Sequence, residues 1–129
     1  MTPINFKKTV TDSMDSAVLK LTEGLKKEGF GILTRIDLHD KFKEKLDKTI
    51  RPVVVLGACN PGMAYEVFLK STDFACLLPC NAVIRDLGDG QLSIELAKPT
   101  VMMAALGDQD MVKMAAAADL SFQRVLEGL

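Results

Sequence analysis

The residues of this chain whose placement can support chemistry are its three cysteines. Cys59 lies in Val53-Val54-Val55-Leu56-Gly57-Ala58-Cys59-Asn60-Pro61-Gly62, an apolar run that passes straight into a helix-start pair. A thiol just ahead of a helix N-terminus feels the partial positive charge of unpaired amides, which favours the thiolate. That suits Cys59 to work as a nucleophile, a redox centre or a metal ligand. The plain alternative is a small buried hydrophobe closing a core strand, a common use of free cysteine. Cys80, in Leu78-Pro79-Cys80-Asn81, stands where a later strand begins. If the two strands are antiparallel neighbours, Cys59 and Cys80 approach each other at one end of a sheet, as a redox pair or half a metal site. Two unrelated core thiols are the alternative.

Three cysteines and one histidine, His39, could ligate zinc on composition alone. The spacing argues against it, because the chain has no Cys-x-x-Cys knuckle, and Cys76 lies four residues before Cys80. Cys59, Cys80 and His39 are therefore weak metal candidates. His39 reads better as a loop residue or a cap, and a Cys59–His39 dyad would need the flanking strands to run parallel. Other templates fail: there is no Gly-x-Gly-x-x-Gly, no Lys-Ser/Thr of a phosphate loop and no Gly-x-Ser-x-Gly elbow. The helix start at Asn60 can offer backbone amides to a small anion, though Pro61 removes one donor. Among the carboxylates Glu66 and Glu95 are the least surface-like by position, and both alternate outward on the simplest reading.

The elements that must position these groups follow from periodicity. Asn5–Val10 alternates as a short strand. Thr11, Asp12 and Ser13 offer N-caps to a helix whose stripe is Met14, Ala17, Val18, Leu21 and Leu25, ended by Gly29. Gly24 inside it costs about 1 kcal/mol against alanine and calls for a close packing contact. Ile32–Leu38 has a two-residue period and reads as a strand. Asp40–Ile50 reads as a surface helix with a narrow buried seam of Phe42, Leu46 and Ile50. Val53–Ala58 is apolar on both faces, as in the middle of a sheet. Asn60 caps and Pro61 begins a helix reaching about Lys70, and Thr72–Leu78 is a connection of mixed polarity. Asn81–Leu87 and Gln91–Ala97 flank Gly88-Asp89-Gly90, a hairpin signal. Val101–Leu106 reads as a buried loop or a short helix. A last helix runs from near Asp108 to about Leu126, with Met111, Ala115, Ala118, Phe122 and Val125 along its seam. The order β-α-β-α-β-α-β-β-α predicts an α+β fold: a mostly antiparallel sheet of about five strands with helices packed on one face.

At 129 residues the chain reads as one domain, 1–129, able to bury a core without staples. A formal charge of −1 argues against a nucleic-acid partner, which needs a basic face. The lysines of 41–48 are interleaved with Asp40, Glu44 and Asp47, as on a solvated helix. No apolar run approaches the roughly 20 residues that cross a bilayer, and Met1-Thr2-Pro3-Ile4-Asn5-Phe6 lacks a signal-peptide pattern. A cytoplasmic protein with no membrane partner is the expectation, and an odd number of cysteines does not suggest a disulfide framework. Seven methionines and no tryptophan suggest an adaptable core.

Gly57-Ala58-Cys59-Asn60-Pro61, followed some twenty residues on by Leu78-Pro79-Cys80-Asn81 and the strand Ala82–Arg85, resembles a bacterial and archaeal family, domain of unknown function 302. The similarity covers nearly the whole chain, and the two signatures are specific together and weak apart. The resemblance implies a compact α+β fold similar to the TATA-binding-protein-like class, and a homodimer. It implies no established activity or cofactor. The family's motif positions fall on Cys59, Asn60, Pro61, Pro79, Cys80 and Asn81. The leading expectation is a dimeric binding or accessory module whose pocket, at Cys59, Asn60, Pro61, Cys80 and Asn81, takes a small molecule or a metal. The alternative is a thiol-dependent redox or sulfur-transfer enzyme with Cys59 as nucleophile and Cys80 as resolving thiol. A purely structural interaction domain is a third reading.

Overall fold

A computed structural model describes residues 3–129. Met1 and Thr2, part of the stretch read above for a leader, lie outside the described residues. The elements are β1 (Asn5–Thr11), α1 (Met14–Lys27), β2 (Gly31–Asp37), α2 (Leu38–Leu46), β3 (Val53–Cys59) and α3 (Pro61–Lys70). A 3-10 segment (Thr72–Leu77), β4 (Cys80–Gly88), β5 (Gln91–Ala97), α4 (Pro99–Ala104) and α5 (Gln109–Glu127) follow. The strands form one five-stranded sheet in the order β1-β5-β4-β3-β2. Every neighbouring pair is antiparallel. The α+β fold and its element order are those the sequence predicts. Val101–Leu106, expected as a loop or a short helix, falls largely in α4.

Local signals place the helices. The Ser13 hydroxyl accepts the Ser16 amide at 3.2 Å and caps α1. Gly29 follows α1 at φ +86°, a conformation that suits glycine. A Cβ there would lie 3.0 Å from Asn60 Nδ2, so the end of α1 and the start of α3 touch. Gly24 has the close contact its position called for: a Cβ would meet Val125 Cγ1 of α5 at 3.3 Å.

α1 and α5 cover one face of the sheet. Alternation along β3, β4 and β5 sends Val54, Leu56, Ala58, Ala82, Ile84 and Ile94 toward them, all at most 1% exposed. Leu21 and Leu25 of α1 and Phe122 of α5 close this core, and Phe30 tilts against Phe122 with ring centroids 4.8 Å apart. A second, smaller cluster joins Val67 of α3, Phe74 of the 3-10 segment, Met103 of α4, and Met111 and Ala115 of α5. Each fully buried side chain of this kind contributes roughly 1.5–3 kcal/mol.

Two expectations are corrected. α2 is shorter than 40–50, begins at Leu38 and has no buried residue. Leu46 is 63% exposed, so the seam of Phe42, Leu46 and Ile50 is not a buried one. The helix meets the sheet through His39 at the first residue of β3, so its apolar stripe finds no core beneath it. Glu95 does point to the helix-free face but is only 9% exposed. Arg85 Nε donates to it at 2.7 Å and Ser93 Oγ at 2.8 Å. Burial opposes its charge, but those bonds together with the Arg85 and Lys7 charges hold its carboxyl below the usual range.

Candidate binding cavity

β3 delivers Cys59 to the end of the sheet where β4 begins. The register sets Ala58 opposite Cys80, so the antiparallel arrangement required for the two thiols to share an end is present. Close approach is possible because position 57 has no side chain. A Cβ at Gly57 would collide with Thr34 Oγ1 and lie 2.5 Å from Pro79 Cγ. After Cys59 the chain turns on Asn60, whose Oδ1 accepts the Met63 amide at 3.1 Å, and Pro61 opens α3.

Between this end of the sheet and the second cluster lies a cavity of about 230 Å³. Met63, Ala64 and Val67 of α3 form one wall, and Met103 of α4 and Met114 and Ala115 of α5 form another. Phe30, Phe74 and Leu78 contribute further apolar surface, and Cys59 and Cys80 both reach it. Among the described residues its only other polar side chains are Asn60 and Glu66. Apolar matter is therefore what the interior solvates best.

Cys59, Cys76 and Cys80 are all free thiols, with Cys76 exposed. Burial pushes the Cys59 thiol up from its ordinary value. Cys80 is pushed up to about 11, chiefly by burial and secondly by the negative charge that Cys59 would carry. A helix start was expected to favour the Cys59 thiolate, and the shift runs the other way. Burial is the cause, and the helix start offers it little opposition, since Asn60 already takes the Met63 amide and Pro61 carries none.

The other expected site residues disperse. His39 packs at the opposite end of β3, with Nδ1 3.1 Å from the Val53 amide nitrogen and 3.2 Å from its carbonyl oxygen. The seven residues of β3 at about 3.3 Å each separate it from Cys59 by roughly 20 Å, so no Cys59–His39 dyad forms. No group of three or more His, Cys, Asp or Glu suited to a metal occurs among the described residues. Asn81 pairs with Gly57 and is exposed on the helix-free face, away from the cavity. Pro61 is exposed and starts α3 without lining the cavity. Sequence reasoning missed the methionine walls, for which the seven methionines and the apolar stretch at 101–106 were the available signal. Glu66, read from the sequence only as one of the least surface-like carboxylates and as facing outward, is exposed and lines the cavity.

An antiparallel five-stranded α+β domain, helices on one face and an apolar cavity at the end of β3 and β4, is the class that fold and site define. The chain belongs to the family described as Domain of unknown function DUF302, whose model matches residues 6–129. It is similar to a solved structure, an uncharacterized conserved protein DUF302 from Bacillus stearothermophilus, at 28% identity and a TM-score of 0.90. That match covers 98% of each chain. No curated protein matches the sequence. Among the described residues no helix is long and apolar enough to cross a membrane.

Proposed function

We propose that this protein is a dimeric binding module whose cavity holds a compact apolar small molecule. The cavity of about 230 Å³ beside Cys59 and Cys80 carries the reading. Engineered cavities of about 150 Å³ take benzene, and drug-sized ligands use roughly 300 Å³ or more. The occupant is thus one ring with a short chain, or an aliphatic equivalent. Ten heavy atoms at roughly 0.5–0.8 kcal/mol each correspond to dissociation constants between about 1 and 200 µM. The thiols act as neutral, polarizable wall at neutral pH. With His39 at the far end of β3, a metal would have only Cys59 and Cys80 of the candidate ligands. The thiol-enzyme alternative gains no support, since both thiols are raised rather than lowered.

The second copy is seated, on this reading, on the helix-free face of the sheet. Ile36, Val55 and Val83 stand side by side there, one on each of β2, β3 and β4. A strand as apolar on both sides as β3 fits a sheet covered on both faces, yet the helices cover one.

Titration calorimetry with indole and benzyl alcohol, up to millimolar concentrations, tests the cavity. Binding is expected in the wild type and its loss in Ala64→Leu, which fills the cavity, at an unchanged melting temperature. Absence of binding, or binding indifferent to Ala64→Leu, refutes the reading.

A further inference from the structure

We infer that the cavity's ligand is an organic cation, an apolar body carrying an ammonium group at the mouth. This rests on the cavity reading above and adds the charge of the occupant. Among the described residues Glu66 is the single charged side chain in the lining, and it is exposed, which places it at the opening rather than in the depth. The other polar lining groups are already used or neutral. Asn60 spends its Oδ1 on the Met63 amide, and its side chain is uncharged. Burial favours the neutral form of both Cys59 and Cys80.

Among the described residues no lysine or arginine lines the cavity, so no cationic side chain there offsets the carboxylate. Glu66 also has no salt-bridge partner among the described residues; the pairs formed by carboxylates involve Asp12, Glu28, Asp37, Asp40, Glu44, Asp47 and Glu95. An anion entering here would meet an unopposed negative charge and lose its hydration to methionine and phenylalanine. A neutral hydroxyl could donate a hydrogen bond to Glu66 but brings no charge to pair with it. An amine whose head stays at the mouth keeps part of its water, pairs with the carboxylate and buries only its body. Half-exposed ion pairs of this kind correspond to a preference of about fivefold.

A matched set of probes tests this by calorimetry at pH 7 and low salt: 2-phenylethylamine, 2-phenylethanol and phenylacetate. The expected order is amine, then alcohol, then carboxylate, with the amine favoured about fivefold over the alcohol. In Glu66→Gln the amine and alcohol should bind within twofold of each other. About 0.5 M salt should narrow the wild-type preference by screening the pair. Alcohol binding as tight as amine binding, or an amine preference that survives Glu66→Gln, overturns the cation assignment and leaves the cavity reading standing. Failure of all three probes overturns both.

Discussion

Cys80 shows how burial, rather than sequence position, decides the character of a thiol. It opens a strand and its sulfur lies where the apolar cavity and core meet, so ionisation is opposed. Its folded value of about 11 lies above the ordinary 9.0. The fold therefore favours the neutral thiol, and that contribution is complete below the ordinary value and lost as pH rises through about 11. Wild type should lose stability relative to Cys80→Ala between those two values, by at most about 2–3 kcal/mol, in urea melts taken at successive pH. Iodoacetamide at pH 8 should modify exposed Cys76 first and Cys80 slowly, as mass spectrometry of timed samples would show. Rapid labelling of Cys80 in the native protein would contradict its placement.

Among the elements, the junction of β2, β3 and β4 admits the least change. Gly57 lies between Thr34 and Pro79 with no room for a methyl group. Gly57→Ala must push strands apart or shift a proline, and an overpacked site of this type costs about 1–3 kcal/mol. Gly62, at the start of α3, has only Asn60 Oδ1 at 3.6 Å from a notional Cβ. Gly62→Ala should therefore be neutral or stabilising by up to about 1 kcal/mol, because alanine restricts the unfolded chain and favours helix. Urea midpoints of the two variants check the contrast. α2 illustrates the reverse limit: its periodicity was legible, but an apolar stripe specifies only what could be buried. The neighbour to bury it against lies elsewhere in the chain, and here none sits beneath it.

For the molecule as a whole, the uncovered sheet face bears on assembly. Five strands at about 4.8 Å and seven residues at about 3.3 Å outline a face of roughly 550 Å² before the pleat and side chains add area. Two such faces together reach the roughly 1,200 Å² of a stable specific interface. Ile36, Val55 and Val83 occupy one side of it, while Arg85, Ser93 and Glu95 form a hydrogen-bonded polar patch on the other, with the Lys7 charge near Glu95. Light scattering on the eluting protein should give twice 14.0 kDa for the wild type. The double substitution Val55→Lys and Val83→Lys should give the single-chain mass with the fold intact by circular dichroism. A monomeric wild type would rule out the dimer.

The sequence by itself determined the elements whose signals are local. Ser13, Asn60 and Asp108 cap helices through their own side chains, and Gly88-Asp89-Gly90 turns the β4–β5 hairpin with every one of its residues at positive φ. Alternation in β5, with Leu92, Ile94 and Leu96 set against Gln91 and Glu95, is enough to name its core face, because a strand's two-residue period allows only one choice once a side is apolar. By contrast β3, apolar on both sides, leaves that choice to the tertiary structure. The family signatures at 57–61 and 78–81 both fall at the end of the sheet where β3 finishes and β4 begins. Tertiary structure alone decided that α3, α4 and α5 stand apart far enough to leave a cavity, that Glu66 reaches its lining, and that His39 does not. A cavity is a property of the space between elements distant in sequence, and no spacing along the chain encodes its width.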